Sequence, residues 1–129
     1  MTPLTILVAD DDPLTVRVLA ASLQKEGYQV VTAMDAMQAV RAAHKSAPAA
    51  IILDVKRPGG SGLHALKQIK SSNKTQLIPV LAMSSSDDSS LPAQMMTLGA
   101  EDFFAKPVDL QRLSNVLRRV LGGPPAPPA

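Results

Sequence analysis

The sequence predicts an α/β fold: a doubly wound, five-stranded parallel sheet covered by helices on both faces. Three observations carry the prediction. Short apolar runs alternate five times with segments of helical periodicity along the 129 residues. The apolar runs lack a polar face, as strands buried on both sides do. The chain also has the length of one compact domain.

Each element has its own warrant. Thr5-Ile6-Leu7-Val8-Ala9 is too short for a helix and rich in strand formers. Asp12 before Pro13 reads as an N-cap followed by proline at the first helical position. Val16, Leu19, Ala20 and Leu23 then fall on one helical face, and Gly27 closes the helix. Tyr28 to Thr32 forms a second strand, and Ala36, Ala39, Val40 and Ala43 repeat the helical spacing. Ala50-Ile51-Ile52-Leu53 is a third strand, and 58–62 is a loop of proline, glycine and serine. Leu63, Leu66 and Ile69 mark a third helix. Ile78 to Met83 is a fourth strand with Pro79 at its start, where a missing donor is tolerated. A weaker helix runs from Pro92 to Leu98 and ends at Gly99. Asp102-Phe103-Phe104-Ala105 is a fifth strand, and Leu110, Leu113, Leu117 and Val120 build the last helix. Right-handed crossovers favour a flavodoxin-like order, 2-1-3-4-5.

Composition excludes several classes. Thirteen basic and eleven acidic residues leave a formal charge of +2, too little excess for a nucleic-acid binder. There is no cysteine, so disulfides and thiolate chemistry are out. The histidines, His44 and His64, are too few for a His-rich zinc site and read as solvated helix residues. Neither a membrane span nor a signal peptide is visible, so a cytoplasmic location is expected. The tail, residues 122–129, holds four of the eleven prolines and no charge. It reads as a linker or loose end after a domain at 1–121, consistent with a frayed terminus or with excision from a longer protein.

The order 2-1-3-4-5 gathers the strand ends at one edge, where such sheets bind their ligands. Asp10, Asp11 and Asp12 follow the first strand, Asp54 the third, Ser84 the fourth, and Lys106-Pro107 the fifth. Asp10, Asp11 and Asp54 would repel and raise one another's pKa values. A hard divalent cation and an ammonium group would compensate, and Mg²⁺ prefers oxygen ligands. Lys106 supplies a compact positive charge and Ser84 a hydroxyl donor. A carboxylate nucleophile, a metal and a cation together can stabilise phosphoryl transfer.

Four segments in this order resemble the receiver domains of two-component response regulators, over about residues 4–121. They are Ile6-Leu7-Val8-Ala9-Asp10-Asp11-Asp12; Ile51-Ile52-Leu53-Asp54 with Pro58 and Gly62 downstream; Pro79-Val80-Leu81-Ala82-Met83-Ser84; and Gly99 through Lys106-Pro107. The resemblance implies a CheY-like (βα)5 fold and assigns roles. Asp54 would be the phosphoacceptor, taking the group from a phosphohistidine on a sensor histidine kinase or histidine phosphotransferase. Asp10, Asp11, Asp54 and the backbone carbonyl of Lys56 would hold Mg²⁺, the Lys56 side chain being indifferent to that role. Ser84 and Lys106 would meet the phosphoryl oxygens, and Phe103 would be the aromatic switch. The Lys106–Pro107 bond would be cis. Phosphorylation would change a surface of the fourth helix, fifth strand and fifth helix, read by an output domain or protein target.

Three departures stand out: Ser84 replaces the commoner threonine, Phe103 lacks a phenol, and Lys56-Arg57 replaces a more neutral pair. A basic side chain at Lys56 could lean over the acyl phosphate and tune its hydrolysis. The fourth helix has no lysine or arginine, which weakens the case for a salt-bridged dimer; a monomer or another phosphorylation-dependent dimer is expected. Self-phosphorylation and autodephosphorylation would be the only chemistry, so the chain is not expected to be an enzyme. The rivals are a phosphorylation-independent interaction module, a flavin or nucleotide carrier, and a carboxylate-nucleophile hydrolase. The intact acidic set argues against the first. The absence of a Gly-rich cradle argues against the second, and the absence of a separate general acid against the third.

Overall fold

The computed structural model describes residues 3–56 and 61–122. Five strands alternate with five helices: β1 (Thr5–Ala9), α1 (Pro13–Lys25), β2 (Gln29–Ala33), α2 (Ala36–Ser46), β3 (Ala50–Asp54), α3 (Ser61–Ser71), β4 (Val80–Ser84), α4 (Leu91–Thr97), β5 (Asp102–Ala105) and α5 (Leu110–Val120). All sheet pairings are parallel and the order is β2-β1-β3-β4-β5, as the alternating pattern predicts.

The strands divide their side chains between two cores, because successive residues face opposite sides of a sheet. Leu7, Ile51, Leu53, Val80 and Ala82 face α2, α3 and α4, where Ala39, Leu66 and Met95 cover them. Ile6, Val8, Ile52, Leu81 and Met83 face α1 and α5, meeting Leu19, Leu23, Leu113 and Leu117. Apolar residues on both faces of one strand explain why the runs lack alternation. The adjacent phenylalanines part in the same way: Phe104 enters the α1/α5 core, while the half-buried Phe103 packs on the other.

Element ends depart slightly from the sequence reading, for local reasons. Tyr28 donates its N–H to the Leu23 carbonyl at the end of α1, so β2 begins one residue later. Ile78 is bonded to Thr75 in a turn and Pro79 has no donor, so β4 begins at Val80. Ser61 and Gly62 belong to α3 and not to the loop. Pro58 and Arg57 lie outside the described residues, as do residues 123–129 of the tail. At α1 the cap is as predicted: the Asp12 carboxylate accepts from the Leu14 N–H and the Thr15 hydroxyl, with Pro13 opening the helix.

A histidine read as solvated has partners. His44 contacts the Val40 carbonyl through Nδ1 and the Ser72 hydroxyl through Nε2, tying α2 to the end of α3. Arg118 reaches across from α5 to Glu26 at 3.3 Å, and Ser114 donates to the same carboxylate. Of the neighbouring methionines, Met95 is core and Met96 is exposed.

Candidate functional site

The backbone ladder continues past the strand ends and fixes the groups there. The Asp10 N–H donates to Ala33 O at 3.0 Å, Val55 N–H to Met83 O at 2.7 Å, and Lys106 N–H to Ser84 O at 2.9 Å. Asp10, Asp54, Ser84 and Lys106 are therefore held by the sheet, and the Lys106–Pro107 peptide is cis. Helix α3 closes one side at short range. A Cβ placed on Gly62 would lie 2.8 Å from the Asp54 carbonyl oxygen and 2.9 Å from Val55 Cα. Only glycine lets α3 approach the backbone of Asp54 so closely.

The side chains converge as the topology predicts. Carboxylate oxygens of Asp10, Asp11 and Asp54 lie within 4.8 Å of one another. They line a cleft of about 90 Å³ together with Lys56, Gly62 and the start of α2. Asp10 and Asp54 are buried and Asp11 is exposed. Lys106 Nζ donates to Asp10 Oδ2 at 2.6 Å and sits 3.2 Å from Asp54 Oδ1. Asp10 Oδ1 accepts the Asp12 N–H at 2.9 Å.

A second lysine shares the cleft. Lys56 Nζ lies 2.5 Å from Asp11 Oδ1 and 2.9 Å from Asp54 Oδ2. The basic side chain expected to lean over Asp54 is therefore inside the acidic cluster, paired with Asp11 as well. Its reach toward Asp54 is legible in the sequence; its pairing with Asp11 depends on the tertiary arrangement of the two acids. The cluster is answered by two ammonium groups and not by Lys106 alone.

The two lysines split the acids electrostatically. Burial pushes the Asp10 carboxyl above its ordinary pKa, with the hydrogen bond from Lys106 pulling against it. Asp11 goes the other way: the Lys56 hydrogen bond lowers it. Mutual repulsion therefore does not raise every member of the cluster, because Asp11 is solvated and paired. Burial works against the charge on Lys106, but Asp10 and Asp54 outweigh it and raise its pKa. The Lys56 ammonium is likewise raised, chiefly by Asp11.

Asp54 Oδ2 is buried and has no hydrogen-bond partner among the described residues. Lys56 Nζ is near it but not aligned as a donor, since no hydrogen bond joins the pair. An orphaned, buried carboxylate oxygen beside two further carboxylates suits a hard cation such as Mg²⁺, which takes oxygen ligands and keeps several waters. The donor set of Asp10, Asp11 and Asp54 fits that ion.

Ser84 is fully buried, and its Oγ accepts the Ser86 N–H at 3.0 Å. It stands beside the cluster through the backbone, with its hydroxyl engaged locally. Phe103 pairs in register with Ala82, two positions before Ser84 on the neighbouring strand. On the other face, Arg112 lies over the Phe104 ring, 4.1 Å from its centroid. It also donates to Phe103 O and pairs with Asp102.

A parallel sheet of this order with an acidic, lysine-capped pocket at its carboxyl edge defines a class, and the chain's similarities agree. The chain belongs to the response regulator receiver domain family, whose model matches residues 6–118, and is thus a receiver domain of two-component signalling. It is 32% identical over 118 residues to Protein PilH of Pseudomonas aeruginosa, covering 92% of this chain and 98% of PilH. It is 33% identical over 119 residues to the probable transcriptional regulatory protein TcrX of Mycobacterium tuberculosis, covering 92% of this chain and 50% of TcrX. Against the response regulator PleD of Caulobacter vibrioides it is 39% identical over 104 residues, 81% of this chain but 23% of PleD. The chain thus spans nearly all of one relative and half or less of the others. Among solved structures, the receiver domain of the sensor histidine kinase PA1611 from Pseudomonas aeruginosa has a TM-score of 0.83 at 28% identity, covering 95% of this chain and all of that one. That structure holds a magnesium ion in its active-site cleft. The chemotaxis response regulator CheY4 of Vibrio cholerae gives a TM-score of 0.81 at 27% identity, over 92% of this chain and 99% of CheY4.

Proposed function

We propose that Asp54 accepts a phosphoryl group from a phosphohistidine on a sensor histidine kinase or histidine phosphotransferase. The observation that carries this reading is Asp54 Oδ2, a buried carboxylate oxygen without a hydrogen-bond partner among the described residues. It stands in an open cleft between two lysines and two further aspartates. An Asp54 carboxylate oxygen attacks phosphorus as the P–N bond of the phosphohistidine breaks, and the imidazole leaves with the bonding pair. Asp10, Asp11, Asp54 and the Lys56 backbone carbonyl would hold Mg²⁺. When bound, that ion neutralises charge on the phosphoryl oxygens. Lys106, already held by Asp10 and Asp54, offers its ammonium to a phosphoryl oxygen.

Phosphorylation adds about two negative charges at the sheet edge. Ser84 exchanges its Ser86 contact for a phosphoryl oxygen, its segment moves inward, and half-buried Phe103 fills the space released. The surface of α4, β5 and α5 then changes its preference for an output domain or protein target, as a population shift between two packings. Beyond that transfer, self-phosphorylation and autodephosphorylation at Asp54 are its only chemistry, and the Lys56 side chain, leaning over the acyl phosphate from the mouth of the cleft, tunes the second. The domain works in the cytoplasm, as a monomer or a phosphorylation-dependent dimer, without binding nucleic acid itself. No described helix is long and apolar enough to cross a membrane, which is compatible with that location.

Nuclear magnetic resonance with Mg²⁺ and beryllofluoride tests this reading. Ser84 and Phe103 resonances are expected to shift in the wild type and to stay in place in Asp54→Asn. A response that survives in Asp54→Asn would remove the assignment.

A further inference from the structure

We propose that the Lys56 side chain is a tethered cation that holds the divalent-metal position, so that Mg²⁺ binds only by ejecting it. The inference rests on the reading of Asp10, Asp11 and Asp54 as the metal ligands. Its starting point is the way two lysines divide the carboxylate oxygens. Lys106 takes Asp10 Oδ2 and Asp54 Oδ1. Lys56 takes Asp11 Oδ1 and Asp54 Oδ2. The two ammonium groups thus use opposite oxygens of Asp54, and only Lys56 stands between Asp54 and Asp11.

The two also differ in how firmly they are held. The Lys106 side chain is 15% exposed, whereas that of Lys56 is 52% exposed on a flexible stem at the mouth of the cleft. Lys56 can return to water with little desolvation in either direction. Its fit to Asp54 is also incomplete, because Oδ2 receives its charge at 2.9 Å without an aligned hydrogen bond. A divalent ion offers twice the charge and no directional donor requirement, so it satisfies the orphaned oxygen better. Displacing Lys56 breaks its exposed pair with Asp11 and its contact with the buried Asp54, together a factor of about ten in equilibrium. The metal therefore binds more weakly than the same acids would bind it alone. Lys56 sets the Mg²⁺ level at which the site becomes competent, and the cluster stays neutralised below that level.

The test is a Mg²⁺ titration of the full chain by calorimetry, for wild type, Lys56→Met and Lys45→Met. Lys45 lies in the last turn of α2, outside the cleft, and its replacement removes the same charge. Lysine-ammonium resonances are followed in the wild type. Lys56→Met is expected to bind Mg²⁺ about tenfold more tightly and Lys45→Met within about twofold of wild type. The Lys56 ammonium signal is expected to be protected without metal and lost to solvent exchange at saturation. Equal affinity in wild type and Lys56→Met, or a Lys56 signal unchanged by saturating Mg²⁺, overturns the proposal while leaving the metal site intact. Equal tightening in Lys45→Met overturns it in favour of general charge. If no variant binds Mg²⁺, the metal reading itself fails, and this inference with it.

Discussion

Lys106 Nζ donates to Asp10 Oδ2 at 2.6 Å, joining residues 96 apart in sequence. Asp10 follows β1 and Lys106 follows β5, with β3 and β4 between them in the sheet. The bond therefore spans the ends of the two intervening strands and passes Asp54 on the way. Replacing Lys106 leaves Asp10 buried without its counter-charge, a loss of about 2 kcal/mol. Lys106→Met is expected to lower the free energy of unfolding, measured by urea denaturation, by that amount at neutral pH. The raised pKa of Lys106 fixes the pH dependence. Its stabilisation is full below the ordinary value of 10.5 and is lost as pH rises through the higher folded value. The gap between wild type and Lys106→Met should hold at neutral pH and narrow at both extremes, in strong alkali as Lys106 loses its proton and in acid as Asp10 gains one. A gap that widens toward strong alkali would contradict this account of the pair.

Gly62 makes a steric prediction. A Cβ there would meet the Asp54 carbonyl oxygen and Val55 Cα, both rigid backbone atoms, at 2.8 and 2.9 Å. Gly62→Ala must push α3 away from β3, at a cost of about 1–3 kcal/mol that exceeds alanine's helix preference. Urea unfolding should show the loss. Because the displaced backbone carries Asp54, Mg²⁺ affinity should fall in parallel.

Ser84 separates chemistry from switching. Its buried Oγ accepts the Ser86 N–H, so Ser84→Ala is expected to cost about 1 kcal/mol in thermal unfolding. Asp54 should still accept a phosphoryl group in this variant, because the Ser84 hydroxyl bonds to Ser86 and to none of the three aspartates among the described residues. The accompanying shift of the Phe103 ring resonances should be lost. A full Phe103 response in Ser84→Ala would show that the hydroxyl does not link the two.

Most of this architecture is legible in the sequence, because it depends on local pattern. The Asp12-Pro13 cap, the parted Phe103 and Phe104, and the gathering of Asp10, Asp11, Asp54 and Lys106 follow from spacing, strand alternation and topology. What escaped reading depends on where long or polar side chains settle in three dimensions. Lys56 turns into the cluster because Asp11 and Asp54, 45 and 2 residues away, leave it a paired position. His44 and Arg118 find Ser72 and Glu26 across elements that no helical wheel relates. Gly62 reads as the end of a loop by composition, yet it lies in α3 and is the contact that lets that helix reach Asp54.

The central claim is that Asp54 is the phosphoacceptor of a metal-dependent site. Intact-mass measurement after incubation with acetyl phosphate tests it most directly, in wild type and Asp54→Asn, with Mg²⁺ and with excess chelator. The wild type with Mg²⁺ is expected to gain the mass of one phosphoryl group, and neither Asp54→Asn nor the protein under chelator is expected to gain any. A phosphoryl gain in Asp54→Asn, or no gain in the wild type with Mg²⁺ from either acetyl phosphate or a phosphorylated histidine phosphotransferase, would contradict the claim.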